Sequence, residues 1–158
     1  MMVVAGLAVD ADCRRVLMGL RPPGKLRPSM WEYPGGKIEQ ADRDLYPDAA
    51  KSGVVDVRIQ HAALVRELRE ELGVAVVATR SDHIWSVAFE VEEPIHWSLF
   101  PVLLSGEPKP LAHVELRWVE PEDAIKNLSC TPTTYLVYRA VKYYLNEVRV
   151  CGPNLRSL

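Results

Sequence analysis

The chain has 158 residues, 48% of them hydrophobic and 25% charged, with a formal net charge of −2. That composition fits one globular domain with a sizeable core. The slight acidity argues against a nucleic-acid partner, which needs a basic surface, and no apolar run approaches the roughly 20 residues of a membrane span.

Val3 to Val9 and Arg15 to Leu20 are β-rich segments around the polar Asp10-Ala11-Asp12, a pattern that predicts a hairpin. The opening apolar stretch is short, lacks a basic leader and runs into Asp10 and Asp12, so it is expected to be a strand rather than a signal peptide. Arg21 to Ser29 carries three prolines, a glycine and the cations Arg21, Lys25 and Arg27, and is expected to be a loop. Trp31 to Tyr33 is a short strand entering Gly35-Gly36, where two glycines permit a turn with positive φ and close approach of a ligand. Lys37 follows directly, within reach of a phosphate.

Residues 61–72 predict a helix, with Gly73 as its C-terminal stop. Ile84 to Val91 and Trp97 to Leu104 predict two strands joined across Glu92-Glu93-Pro94, and Leu116 to Val119 a third. Pro121 opens a short helix with acids in its first turn. Thr131-Pro132 pairs an N-cap with a proline at the first helical position. Val137, Val141, Tyr144, Leu145 and Val148 then recur at helical spacing. Residues 1–150 read as a single domain, and 151–158 as an irregular tail. Strands flanking an internal helix, with another helix at the end, predict an α/β fold with a mixed β-sheet between helical layers.

The most informative stretch is Ala63 to Val74. At about 100° per residue, Glu67, Glu70 and Glu71 share one edge of the helix and border the stripe of Leu64, Leu68 and Leu72. Arg66 and Arg69 are expected on the solvent side. Like charges at i,i+4 cost a helix about 0.2–0.5 kcal/mol per pair. A hard divalent cation would relieve that, because Mg²⁺ takes carboxylate oxygens and fills its other positions with water and phosphate. The plainer reading is a solvated face with an Arg66–Glu70 pair.

Gly35-Gly36-Lys37-Ile38-Glu39, taken together with Arg66-Glu67-Leu68-Arg69-Glu70-Glu71-Leu72-Gly73-Val74, resembles the Nudix hydrolase signature. The preceding Trp31-Glu32-Tyr33-Pro34 is similar to the MutT-type branch, and Arg117-Trp118-Val119-Glu120-Pro121 to a late segment of the family. The resemblance departs from the family at one point. The first signature glutamate belongs six residues after the second glycine and eight before the arginine. Those counts give Asp42 and Arg58, and the spacing between the halves is about 16 residues too long. An insertion at about 40–60 is therefore expected, broken at Pro47 and Ser52-Gly53, with Val54 to Ile59 as a short strand. Asp42, Asp44 or Glu39 stands in for the missing glutamate. The insertion is read equally as a tolerated surface loop and as a lid beside the site.

The resemblance implies a Nudix α/β/α sandwich and Mg²⁺-dependent (with Mn²⁺ as an alternative metal) cleavage of a nucleoside diphosphate linked to another group. It implies Glu70, Glu71 and the Gly36 carbonyl as metal ligands, and Glu67 as a further ligand or as the base that activates water. Arg66 would orient the glutamates, and Lys37 and Arg21 would contact phosphate. MutT-type relatives often carry a glutamate six residues before the late tryptophan. Ala112 stands there, and Glu115 is the nearest substitute ligand. No asparagine occurs across Ser129 to Thr134, which weakens an assignment to oxidised guanine. Trp85, Phe89 and Trp97 are candidates for base stacking, though aromatic residues on strands more often belong to a core.

The leading expectation is conversion of a (d)NTP to NMP and pyrophosphate. The same chemistry on ADP-ribose, a nucleotide sugar or a dinucleotide is the alternative, and a non-catalytic nucleotide-binding module is an alternative of another class. The expected partner is a small nucleotide, with no membrane, and a homodimer is compatible with the sequence. Cys13, Cys130 and Cys151 are odd in number and lack metal-type spacing, so a zinc site is not expected and a reducing cytoplasm is. His61, His83, His96 and His113 show no ligand spacing and read as ordinary surface or half-buried histidines.

Overall fold

A computed structural model describes residues 1–49, 56–79, 83–90 and 94–151. Its elements in chain order are β1 (Met2–Ala8), β2 (Val16–Leu20), β3 (Trp31–Glu32), β4 (Gly35–Lys37), α1 (Gln40–Asp44), α2 (Val57–Leu72), β5 (Ala75–Thr79), β6 (Trp85–Glu90), β7 (Pro94–Ser105), β8 (Glu115–Val119), α3 (Pro121–Asn127) and α4 (Pro132–Cys151).

The main sheet runs β4-β1-β7-β5, with β6 also paired to β7. It is mixed: β1 and β7 are parallel, and the other pairings are antiparallel. Met2 to Ala8 lie beside His96 to Val102 in unbroken register. A smaller antiparallel sheet, β3-β2-β8, stands beside it. Helices cover both sides. Leu64, Leu68 and Leu72 of α2 bury against Val4, Leu17 and Phe100, whereas Val137, Val141 and Leu145 of α4 bury against Leu7, Met18 and Leu99. Each such side chain stabilises the fold by about 1.5–3 kcal/mol. The leucine stripe of α2 thus outweighs the repulsion along its acidic edge.

Several elements differ from expectation. The turn after β1 forms, with the Asp10 carboxylate accepting from the Arg14 and Arg15 N–H groups at 2.9 and 3.0 Å. However, the only strand-type pairing at this turn is an isolated Val9–Val16 bridge, and β1 and β2 enter different sheets, so no hairpin results. Gly35-Gly36-Lys37 is a strand and not a turn. Gly35 has φ +151°, and a Cβ there would strike the Val4 carbonyl and Ala5, so β4 lies tight against β1. Helix α2 begins at Val57, where the Asp56 side chain caps the Arg58 N–H at 2.8 Å, a contact worth about 1 kcal/mol. Val57 to Ile59 are therefore helical and not strand, while Val54 and Val55 lie outside the described residues. Strand β5 and helix α1 form without having been expected. The Gly73 stop holds, with φ +65° and its N–H on the Arg69 carbonyl. Cys151, expected to begin the irregular tail, is instead the last residue of α4, and 152–158 lie outside the described residues.

Candidate active site

The acidic edge of α2 meets the two glycines of β4. A Cβ on Gly36 would overlap the Glu67 carboxylate itself, so only glycine lets that acid sit on the strand. The Gly35 N–H donates to Glu71 Oε2 at 2.8 Å. The glycines thus provide the close approach that was expected of them, but toward this chain's own acids. Glu70 stands apart: its side chain is 61% exposed, and it is 3.7 Å from Arg66.

Arg66 does not point to solvent as expected. It folds inward, half-buried, and forms the hub of the acidic end. Its Nε and Nη2 donate to the two Asp42 oxygens at 3.1 and 2.9 Å, its Nη1 to Glu67 at 2.9 Å, and its Nη2 also to the Lys37 carbonyl at 2.8 Å. The expected Arg66–Glu70 pair survives only as the longest of these contacts. Of the three stand-ins for the missing glutamate, Asp42 meets the arginine. It is 2% exposed and also accepts from the Glu39 N–H at 2.8 Å. Asp44 instead takes the Gln40 side chain, and Glu39 caps α1. The count forward from Gly36 thus lands on the acid that meets Arg66, and α1, the start of the long spacing, carries it there.

Electrostatics separates these acids. Burial works to raise the Asp42 carboxyl, but the Arg66 and Glu39 hydrogen bonds outweigh it and hold the group below the usual carboxylate range. Burial raises Glu67, with Arg66 opposing and the Glu70 and Glu39 charges adding to the rise. Burial pushes Glu71 up to about 7, opposed by His113 and the Gly35 N–H and reinforced by Glu32 and Glu67. Two desolvated carboxylates thus sit at adjacent glycines, Glu67 with Arg66 beside it and Glu71 with the Gly35 N–H.

Among the described residues, no three His, Cys, Asp or Glu side chains are grouped so as to enclose an ion by themselves. The donor set still suits a hard divalent cation. Mg²⁺ asks for one or two carboxylates and completes its octahedron with water and substrate phosphate, and Glu67 and Glu71 offer two carboxylates side by side at the glycine strand.

The remaining predicted site residues lie elsewhere or are otherwise engaged. Lys37 is exposed at the end of β4. Arg21 is tied to the Glu32 carboxylate and, at 2.7 Å, to the Leu26 carbonyl, which closes the 21–29 loop. Glu115, on β8, is half exposed and holds Arg117 at 2.7 Å. Arg117 in turn lies 4.7 Å over the Trp31 ring. Trp97 is core, Trp85 is 38% exposed, and the Phe89 side chain lies outside the described set. Cys13 and Cys130 are buried and form no disulfide among the described residues. Two participants escaped sequence reasoning. Glu32 was read only as part of a motif. His113, read as ordinary, is buried beside Gly19, with Nε2 3.7 Å from Glu32. Nothing in the spacing of His113 signals this, because a loop carries it there.

The sequence profile of the NUDIX domain matches residues 1–140. The CTP pyrophosphohydrolase of Escherichia coli strain K12 is 32% identical over 128 residues, which is 80% of this chain and 81% of that protein. The solution structure of the E. coli ORF135 protein superposes with a TM-score of 0.68 at 26% identity, covering 97% of this chain and 93% of that one. A MutT NUDIX hydrolase from Burkholderia pseudomallei gives a TM-score of 0.66 at 20% identity, covering 89% and 96% of the two chains, and so shares the fold. No helix among the described residues is long and apolar enough to cross a membrane.

Proposed function

The chain belongs to the NUDIX family of hydrolases, and from that premise we propose that it is a Mg²⁺-dependent pyrophosphohydrolase converting a nucleoside triphosphate to NMP and pyrophosphate. The observation that carries this reading is the seat of Glu67 on Gly36 beside the half-buried Glu71. A retired site has no physical need to hold two desolvated acids together. The 32% identity to a CTP pyrophosphohydrolase supports CTP as the first substrate to test.

In this reading Glu67 and Glu71 would hold the metal from the helix edge, and the Gly36 carbonyl and the exposed Glu70 would complete the protein's share. The bound cation supplies charge neutralisation for the phosphates. Glu67 accepts a hydrogen bond from a water and takes its proton as the water oxygen bonds to phosphorus. The bridging P–O bond then breaks, and pyrophosphate leaves. Arg66, itself fixed by Asp42, orients Glu67. Lys37 is free of carboxylate partners in the hydrogen bonds and ion pairs of the described residues, and is placed at the glycine strand to meet a phosphate. Arg21 acts through Glu32, and Glu115 supports Arg117.

The test is product release from CTP, the other NTPs and dNTPs, oxidised dNTPs, ADP-ribose, nucleotide sugars and dinucleotides, with Mg²⁺, with Mn²⁺ and with chelator. Metal-dependent NMP and pyrophosphate from a triphosphate supports the proposal. Turnover confined to ADP-ribose, nucleotide sugars or dinucleotides replaces the substrate class and keeps the chemistry. Nucleotide-induced stabilisation without product supports the binding module instead.

A further inference from the structure

Residues 109–114 form a strap across the end of the acidic helix. The Lys109 N–H donates to the Leu72 carbonyl at 2.9 Å, and the Leu111 and Ala112 N–H groups to the Glu71 carbonyl at 3.0 and 3.4 Å. These are terminal carbonyls that the helix cannot satisfy internally. The Leu111 side chain packs against the space over Gly73, and the Val114 N–H then reaches the Leu20 carbonyl at 2.9 Å. Between these anchors His113 turns into the protein. Its ring lies so close on Gly19 that any Cβ there would overlap it. Its Nε2 is 3.7 Å from Glu32 Oε1, and its buried Nδ1 has no hydrogen-bond partner among the described residues. The same Glu32 is held from its other side by Arg21.

We propose that His113 is a positioning residue of the metal site: seated on Gly19 and carried by the strap that caps α2, it fixes Glu32 and Glu71 where a divalent cation and the substrate phosphates meet. The proposal rests on the reading of the site as metal-dependent. It assigns His113 no contact with substrate. Packing alone would make any side chain of similar volume acceptable at 113, whereas positioning requires a polar group aimed at Glu32. Groups that orient metal ligands from behind typically change metal affinity or activity by about 10–100-fold when removed.

The experiment compares wild type, His113→Leu and His113→Gln for Mn²⁺ affinity by electron paramagnetic resonance and for kcat and KM on the substrate the panel identifies. The expected result is that His113→Leu weakens Mn²⁺ binding about tenfold and lowers kcat with little change in KM, while His113→Gln restores most of both. Wild-type Mn²⁺ affinity and kcat in folded His113→Leu would overturn the proposal. Should that variant not fold, Glu32→Gln addresses the same contact from the other side. The same weakening of Mn²⁺ supports the proposal, and an unchanged affinity ends it. Wild-type protein that binds no Mn²⁺ removes the metal reading together with this inference, whereas wild type that binds while His113→Leu binds equally well removes this inference alone.

Discussion

The two ends of the acidic edge of α2 solve the burial of charge in opposite ways. At the Asp42 end, a buried carboxylate receives a guanidinium in two-point contact and a backbone N–H, and is held low. At the Glu71 end, a half-buried carboxylate receives one backbone N–H and a histidine nearby, with Glu32 and Glu67 working against it, and is pushed up to about 7. The first end is complete within the chain, and in the proposed function a cation would complete the second. Structure and chemistry thus share one helix edge but divide it between them.

Removing the acid at the junction tests this division most severely. Glu67→Gln keeps the volume over Gly36 and the Arg66 contact but cannot take a proton. Turnover should fall by more than about 100-fold, the scale of a general base, with the melting temperature held within a few degrees. Near-wild-type turnover would sink the role given to Glu67. Next in size is Arg66→Ala, which leaves Asp42 buried without its partner. Breaking a buried pair from one side costs about 3–5 kcal/mol, so chemical denaturation should show a large stability loss. Asp42→Asn should lose less, since it removes the charge and keeps the shape.

The completed and incomplete ends should also respond oppositely to pH. In chelator-treated protein, Glu71 holds its proton more tightly folded than unfolded, so stability is fully present below about pH 4.5 and declines as pH rises toward 7. The decline should be about 1–3 kcal/mol, and Mg²⁺ should abolish it by favouring the ionised form. Asp42 contributes with the opposite sign: its stabilisation is present above its unfolded value of 3.8 and is lost in acid below that. Urea titrations at pH 5 and 7.5, with and without Mg²⁺, measure the first effect; equal stabilities in chelator would contradict the burial assigned to Glu71. The smallest expected effect is at Glu115. Its exposed pairing with Arg117 should contribute within about 1 kcal/mol, and Glu115→Gln should leave Mn²⁺ affinity unchanged.

Much of the fold was readable because its signals are local. Periodicity exposed both long helices, β-rich runs between turn residues exposed most strands, and Gly73 marked the helix end. The acids of α2 were legible because helical geometry fixes their common edge. What stayed hidden depends on contacts distant in sequence. The hairpin pattern of β1 and β2 could not show that their partners, β7 and β8, lie in different sheets. The stripe of α2 named its buried face but could not show that Arg66, one residue before Glu67, would be drawn inward by Asp42, 24 residues upstream. His113 is brought to the site by backbone hydrogen bonds to a helix end, and that bonding leaves no mark in side-chain spacing.

The Asp42–Arg66 pair has a consequence for how this chain can change length. It ties α1, just after the glycine strand, to the middle of the acidic helix, so the geometry of the acids is set by a contact rather than by a count of intervening residues. A change in the number of residues between α1 and the Asp56 cap should then leave the acids in place at a modest entropic expense, provided that the clamp and the cap are kept.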